Sequence, residues 1–252
     1  MTDTQTDSNA APPRLVRIAT RVAGLGALSV LVGIVGVQIG VLPPLAAFGM
    51  FVLGTLLCGA LGLILGAIAV FVTRNAPAGA ARTGAWKATG ASLVLLLVVM
   101  GAMSTGGGAP PINDITTDLD DPPQFASDLY GERDMSYPPG FAAQVRAAYP
   151  DLAPLATDLA PEDAYRRALA TARALGWAIT REDPEAGSFD ASETTAVFRF
   201  VDDVTVRVRP SSDGALIDVR SKSRDGRGDL GANAARIRRF AAEAKLPSVA
   251  SK

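Results

Sequence analysis

The most constraining feature of this sequence is a long stretch without charge. No Asp, Glu, Lys or Arg occurs between Arg21 and Arg74, so 52 consecutive residues are uncharged. A bilayer core about 30 Å thick needs about 20 apolar residues in each helix that crosses it. Because a proline pair at positions 43 and 44 divides the stretch near its middle, we predict two membrane spans, Val22–Leu42 and Ala46–Thr73.

A third apolar run completes the membrane part of the chain. It carries no charge from Ala88 to Asn113 and is densest at Ala91–Met103. We therefore predict a three-span transmembrane module at residues 22–105, after a cytoplasmic tail at residues 1–21. Glycines recur at four-residue spacing in the spans, as the pairs Gly36 with Gly40 and Gly62 with Gly66. This spacing lets helix backbones approach closely, so it predicts that the spans pack on one another.

The basic residues of the membrane part lie on one side only. Three arginines precede the first span, and the loop after the second span holds Arg74, Arg82 and Lys87. No Lys or Arg follows the third span until Arg133. Because Lys and Arg concentrate in cytoplasmic loops, we predict a cytoplasmic N-terminus and an extracytoplasmic C-terminal domain. The composition, rich in Ala, Arg and Gly, is typical of a GC-rich bacterial genome, so we expect the bacterial inner (plasma) membrane.

Two residue types that carry much of enzyme chemistry are scarce in this chain. It contains no His, and its single Cys, Cys58, lies inside the second predicted span. The usual general base near neutral pH is therefore missing, as is the commonest metal ligand. One Cys cannot form a disulfide within the chain or a Cys-based metal site. We favour a protein that is not an enzyme and that has no cofactor and no metal, although catalysis stays open as an alternative.

The chain after the spans predicts an α+β fold, an antiparallel sheet with two helices on one face. Residues 106–158 are rich in Pro and Asp, which predicts an extended linker and wrap, and the domain itself follows at residues 159–252. Apolar residues at helical spacing predict helices at Pro161–Leu175 and Leu230–Lys245, with Asp229 as the N-cap of the second. Alternating apolar residues predict strands at Trp177–Arg181, Gly187–Ser192, Thr195–Val201, Val204–Val208 and Ala215–Ser221. In the third of these strands Phe198 is expected to face the core.

Two halves of opposite charge make up this part of the chain. Ser104–Asp203 holds seven basic and eighteen acidic residues, whereas Val204–Lys252 holds eleven basic and five acidic residues. The halves can pair with each other on folding, or the basic half can present a face to an anionic partner. We favour internal pairing, and both interpretations remain open at this point.

Several segments with polar residues at fixed spacing carry a family resemblance. They are Asn113–Asp118, Pro122-Pro123 with Phe125, Phe198–Arg207, Ile217–Gly226, Asp229–Asn233 and Arg236-Ile237. Together they resemble the bacterial domain-of-unknown-function family numbered 1499, in a membrane-anchored form, over most of Ile112–Lys245. The resemblance implies no established reaction, ligand or catalytic residue.

The loop between the last strand and the last helix is the candidate functional site. It combines cationic side chains, hydroxyl groups and glycines just before a predicted helix N-terminus, where backbone N–H groups favour anions. The residues of this hypothetical anion site are Arg220, Ser221, Ser223, Arg224, Gly226 and Asp229. The alternative is internal structure, in which Asp229 caps the helix and the arginines pair with Asp residues of the wrap.

Other chemistry is less well supported by the sequence. Ser221 and Lys222 are adjacent on a strand and so point to opposite faces, which argues against a nucleophile pair. Asp202 and Asp203, together with four Asp residues of the wrap, lack the spacing of a calcium loop and are expected to form a tight turn. An acidic domain outside the cell also disfavours nucleic acid as a partner.

The sequence thus predicts an integral membrane protein whose outer domain binds or scaffolds something in the cell envelope. Its partners would be the lipid bilayer and, in addition, an envelope anion or another membrane protein. Two alternatives remain: an envelope enzyme acting on a lipid or phosphorylated substrate, and a subunit of a membrane assembly. A pocket beside Arg220–Arg224 would favour binding or catalysis, whereas full pairing of these arginines with carboxylates would favour a structural role.

Overall fold

The computed structural model describes residues 13–77, 79–104, 108–126, 130–131 and 133–246. Residues 1–12 of the predicted tail, residues 78 and 105 of the predicted transmembrane module, residues 106–107, 127–129 and 132 of the predicted linker and wrap, and residues 247–252 of the predicted domain lie outside the described residues. The chain forms two compact units: the first reaches to Thr105 and includes Val197–Arg199, and the second holds Gly106–Ala196 and the chain from Phe200 onward. The predicted fold class is confirmed, because long apolar helices precede an α+β fold with an antiparallel sheet.

Among the residues that the structure describes, the first unit contains three helices that are long and apolar enough to cross a membrane. Helix α1 is Arg14–Gln38, helices α2 (Pro44–Leu53) and α3 (Gly59–Thr73) follow one another through a π-helical turn, and helix α4 is Ala80–Ser104. The three candidate spans correspond to those predicted, but α1 begins in the arginine-containing segment before the apolar run. Pro44 occupies the first position of α2, where a missing N–H group breaks no helical hydrogen bond.

Small residues bring two of these helices into close contact. A Cβ atom at Gly66 would lie 2.6 Å from Thr89 Oγ1, and one at Gly62 would overlap Ser92 Oγ, so α3 and α4 can pack closely only with glycine at both positions. The predicted packing is confirmed for this pair. Gly40 differs from the prediction, because it follows the end of α1 with a φ of +76° and has no neighbour within 4 Å of a Cβ position.

The π-helical turn Gly54–Cys58 interrupts the second span and was not predicted. Side-chain hydroxyl groups bind backbone carbonyls just before it. Thr55 Oγ1 donates to the carbonyl of Phe51 at 2.6 Å, and Ser29 Oγ of α1 donates to that of Met50 at 2.9 Å. In a hydrophobic environment backbone polar groups must find partners inside the protein, and these hydroxyls supply them.

The second unit is built on a six-stranded antiparallel sheet. Its strands are β1 (Asp114–Thr116), β2 (Leu155–Thr157), β3 (Ala178–Asp183), β4 (Ser188–Thr194), β5 (Val201–Ser211) and β6 (Gly214–Ser223). The order across the sheet is β1-β6-β5-β4-β3, and β2 also pairs with β6. Strands β3 to β6 follow each other through short turns, which explains why successive strands are neighbours.

Helices pack on one face of this sheet and enclose the core. They are α5 (Phe141–Ala148), α6 (Pro161–Ala174) and α7 (Ala232–Ala244). Val204, Val206 and Val208 of β5 point into the core, as their alternation predicts, and so do Ile217 and Val219 of β6. The apolar stripes of α6 and α7 cover them, so the predicted arrangement of two helices on one sheet face is confirmed.

Three predictions about local structure were wrong. Thr195–Val201 is not a strand, because the N–H group of Thr195 donates to the carbonyl of Phe200 at 2.8 Å and closes a turn in which Arg199 has a φ of +57°. Phe198 therefore lies outside the core of the second unit. Asp202 and Asp203 form no turn, since both lie inside β5. Finally, the wrap was expected to be an extended segment around the domain, but it contains helix α5 and joins the sheet through β1 and β2.

The other face of the sheet is polar and is also covered. Residues that lie directly opposite each other on neighbouring strands point to the same face of a sheet. One row on the polar side consists of Asp190, Thr205, Arg220 and Thr116. We call this side the polar face. Residues 119–126, 130–131 and 133–137, called the covering segment below, contact it with backbone carbonyls and aromatic rings.

Candidate functional site

Arg220 lies at the centre of the polar face and is fully buried together with Asp114 of β1. Its Nε and Nη2 atoms donate to the two carboxylate oxygens of Asp114 at 2.9 and 2.8 Å. The carbonyl oxygens of Pro123 and Met135 accept further N–H groups at 3.0 and 2.8 Å. The rings of Phe125 and Tyr137 flank the guanidinium group at 4.9 and 5.2 Å. Arg220 is thus bound on every side by the protein itself.

Arg224 is engaged in the same way, nearer the surface. Its Nη2 atom donates to Asp203 Oδ1 at 2.6 Å, and its Nε atom donates to Oδ2 at 2.9 Å. Arg133 of the covering segment approaches the same carboxylate at 3.5 Å. The hydrogen bonds to Asp203 raise the pKa of Arg224 above its ordinary value, so this arginine is charged at any physiological pH.

The hydroxyl groups and glycine of the predicted anion site also have internal partners. Ser221 Oγ donates to Asn233 Oδ1 at 2.6 Å, and Ser223 Oγ accepts Asn233 Nδ2 at 2.9 Å. The carbonyl of Gly226 accepts Asn113 Nδ2 at 2.8 Å. Lys222, which points to the opposite face from Ser221, donates to Asp114 at 3.0 Å.

Asp229 binds the N-terminus of helix α7 from a position slightly different from the predicted one. The helix begins at Ala232 rather than at Leu230, so Gly231 occupies the N-cap position. The two carboxylate oxygens of Asp229 each accept a backbone N–H group at 2.8 Å, from Gly231 and from Asn233. Burial raises the pKa of Asp229, while these hydrogen bonds act in the opposite direction. The anion that stabilises this helix N-terminus is therefore a side chain of the protein.

A second buried arginine, Arg236 of α7, was assigned no role from the sequence. It donates to the carboxylates of Asp202 and Glu193, to Ser221 Oγ at 2.9 Å and to Asn233 Oδ1 at 2.7 Å. Burial works against the charge of Glu193, but hydrogen bonds from Arg236 and Arg239 lower its pKa below the ordinary value. The signal available in the sequence was the pair of polar residues, Asn233 and Arg236, beside the apolar stripe of α7.

The wrap supplies carboxylates to a third cluster. Asp118 Oδ2 accepts Arg207 and Arg209 at 3.2 Å, and Asp218 of β6 accepts the same two arginines at 2.8–3.1 Å. Asp121 binds Arg207 at 2.8 Å. Within the part of the chain that the structure describes, no group of three or more His, Cys, Asp or Glu residues is arranged to hold a metal ion.

Two cavities in the second unit lie away from the predicted anion site. The first has a volume of about 380 Å³ and is lined by Thr117–Asp120, Arg146, Tyr149-Pro150, Leu152–Pro154 and Arg209. The second has a volume of about 500 Å³ and lies beside Pro161, Tyr165 and Val208. Both cavities are open to solvent, and their volumes are in the range of small-molecule sites.

The contacts of the six predicted site residues favour the structural alternative, because each is bound to another part of the second unit. The hypothesis of an anion site at these residues stays a prediction. What the sequence did indicate is the pairing of the two oppositely charged halves, since Asp114, Asp118 and Asp203 of the acidic half bind arginines of the basic half.

A known protein family matches most of the second unit. No curated protein matches the sequence. The family described as "Protein of unknown function (DUF1499)" matches residues 114–243, from the strand that carries Asp114 almost to the end of α7. This match covers more than half of the 252 residues and includes both buried arginines. The chain therefore belongs to the DUF1499 family of proteins of unknown function.

Proposed function

We propose that the protein is a non-catalytic, membrane-anchored module whose α+β unit binds or scaffolds a component of the bacterial cell envelope. The observation that carries this proposal is the internal pairing of Arg220, Arg224 and Arg236 with buried carboxylates. A phosphate or carboxylate clamp needs guanidinium groups that are available to a ligand. Here Arg220 fixes the wrap to the sheet and Arg236 fixes α7 to it, which suits a rigid scaffold.

The alternative of an envelope enzyme has less support. Its proposed oxyanion clamp consists of the residues that have internal partners, and the chain contains no His to act as a general base. The alternative of an assembly subunit rests on the glycines of the spans. Two of these, Gly62 and Gly66, already pack against α4 of the same chain. A binding role for the second unit has in its favour the two cavities of ligand size.

Capture of partners from native membranes distinguishes a binding domain from an assembly subunit. We expect the full-length protein to retain a specific lipid or envelope protein that a chain ending at Thr105 does not retain, because binding is assigned to the second unit. Purification of both forms in mild detergent, with identification of lipids and proteins by mass spectrometry, measures this. Equal partners for both forms would contradict the proposal and favour assembly through the spans.

We also propose that the N-terminus is cytoplasmic and the second unit extracytoplasmic, in the bacterial inner membrane. Support comes from the three arginines in the N-terminal turns of α1, from Arg74, Arg82 and Lys87 between the second and third apolar runs, and from the lack of Lys and Arg after these until Arg133. Alkaline phosphatase, which is active only outside the cytoplasm, is expected to be active when fused after Lys252. As a matched control, the same reporter fused after Arg82 should be inactive, and the reverse pattern would contradict the orientation.

A further inference from the structure

Asp190 lies in the middle of β4, on the polar face, and only 4% of the residue is exposed. One carboxylate oxygen, Oδ2, accepts the backbone N–H group of Ala126 at 3.3 Å. The other oxygen, Oδ1, is buried and has no hydrogen-bond partner among the residues that the structure describes. A buried carboxylate with an unpaired oxygen is costly when it is ionised and much less costly when it is neutral.

The covering segment is held in two different ways along the polar face. At Arg220, the carbonyls of Pro123 and Met135 accept guanidinium N–H groups within 3.0 Å, and arginine keeps its charge at any pH the protein meets. Near Asp190 the hydrogen bonds between the covering segment and the sheet are longer. They are the 3.3 Å bond from Ala126 and a 3.5 Å bond from the Thr205 hydroxyl to the carbonyl of Gln124. The first of these two contacts, from Ala126, therefore depends on a group that can titrate.

Charged and titratable groups face Asp190 from each neighbouring element. Arg181 of β3 is its cross-strand neighbour, Asp203 lies on β5, and Tyr130 belongs to the covering segment. Burial raises the pKa of Asp190 above its ordinary value. Thr205, Ala126 and Arg181 act in the opposite direction, and Asp203 adds to the increase. The negative charge of Asp203 is itself shared with Arg224 and Arg133.

We propose that Asp190 is a proton-operated latch for residues 124–126, which lie closed on β4 and β5 while its carboxyl group is neutral and loosen when it ionises. Loosening would uncover Thr205 and Phe125, and so give solvent or a partner access to the polar face. Arg220 keeps the neighbouring residue Pro123 attached, which limits the movement on the N-terminal side of residues 124–126.

The direction of the pH effect follows from proton binding. The pKa of Asp190 is raised in the closed form, so the closed form retains a proton that the open form releases. Closure is favoured in full below the ordinary pKa of an aspartate, and this advantage is lost as the pH rises through the raised value. At higher pH both forms are ionised and no further change is expected.

Hydrogen exchange of the full-length protein in lipid nanodiscs tests the latch. Protection of the Ala126 amide, corrected for intrinsic exchange, is expected to fall as the pH rises above about 4, the ordinary pKa of an aspartate, by up to about tenfold for each pH unit between the ordinary and the raised pKa. In Asp190→Asn, which stays neutral, protection should remain constant over the same range. Asp134→Asn is the matched control, because Asp134 is an exposed carboxylate of the same covering segment, and it should keep the wild-type profile.

Thr205→Val provides a second variant that does not remove the carboxylate. The Thr205 hydroxyl lowers the pKa of Asp190 and so favours the ionised form, which means that its loss should move the fall in protection to higher pH. A wild-type profile in both Asp190→Asn and Thr205→Val would overturn the proposal. So would an Asp190→Asn protein whose Ala126 amide is unprotected at every pH, since the ionised carboxylate would then be the required acceptor.

Discussion

Replacing Arg220 with Met is expected to lower the free energy of unfolding of the second unit by about 3–5 kcal/mol. Arg220 and Asp114 are both fully buried, and two hydrogen bonds join them. Met preserves much of the side-chain volume but leaves the Asp114 charge with Lys222 as its partner. Urea-dependent pulse proteolysis of the full-length protein in detergent micelles, read on fragments of the second unit, measures the change.

A surface pair in the same unit supplies the control for this variant. Arg238 and Asp151 are joined by two hydrogen bonds, but their side chains are 46% and 53% exposed. Arg238→Met should therefore cost less than about 1 kcal/mol. The double variant Asp114→Asn with Arg220→Met removes both charges and should recover part of the loss. Equal stabilities of Arg220→Met and Arg238→Met would contradict the structural role of Arg220 and would favour the hypothesis of an anion site.

The spans and the two long helices of the second unit could be predicted because their signals are local. An uncharged run of this length has few other structures available to it, and the period of α6 repeats several times between Pro161 and Ala174. The valines of β5 alternate over enough residues to show which side faces the core. In each case neighbours along the chain contain the information.

Phe198 shows where local signals fail. Its alternation with Phe200 matches a strand, but the Thr195 side chain accepts the N–H group of Phe200 at 2.9 Å and Arg199 adopts a positive φ. This turn arises from hydrogen bonds whose formation the pattern of apolar residues does not indicate. Strands of three residues, such as β1 and β2, are equally hard to predict, because they are defined by their pairing with β6.

The candidate site depended on contacts that are distant in sequence. Arg220 and Asp114 are separated by 106 residues, and no spacing rule connects them. The opposite charges of the two halves predicted pairing in general, without assigning partners. Asp229 is the exception, because a carboxylate that binds a helix N-terminus acts within a few residues of it. Its binding to the helix N-terminus was predicted correctly, but its assignment as the N-cap residue was wrong, because the helix begins two residues later than expected and Gly231 occupies that position.

Replacing Phe240 with Ala is expected to cost about 3–5 kcal/mol of the stability of the second unit, the range for a large buried aromatic side chain. Phe240 is fully buried on α7, and its ring stacks on that of Trp177 with centroids 5.3 Å apart. Ala would leave a cavity between α7 and the sheet, in addition to removing the stacking contact. The same urea-dependent proteolysis measures the loss, and the fluorescence of Trp177 should shift to longer wavelength as water reaches it.

Phe240→Leu is the matched variant, because it keeps most of the apolar volume and loses mainly the aromatic contact. It should cost about 1.5 kcal/mol or less. Similar losses of stability in Phe240→Ala and Phe240→Leu would mean that Phe240 contributes through stacking on Trp177 rather than through filling the core. A near-neutral Phe240→Ala would contradict the core itself, since α7 packs into it through this ring and through Ile237. Because α7 also carries Arg236, loosening it should release the ion pairs of Asp202 and Glu193 in the same step.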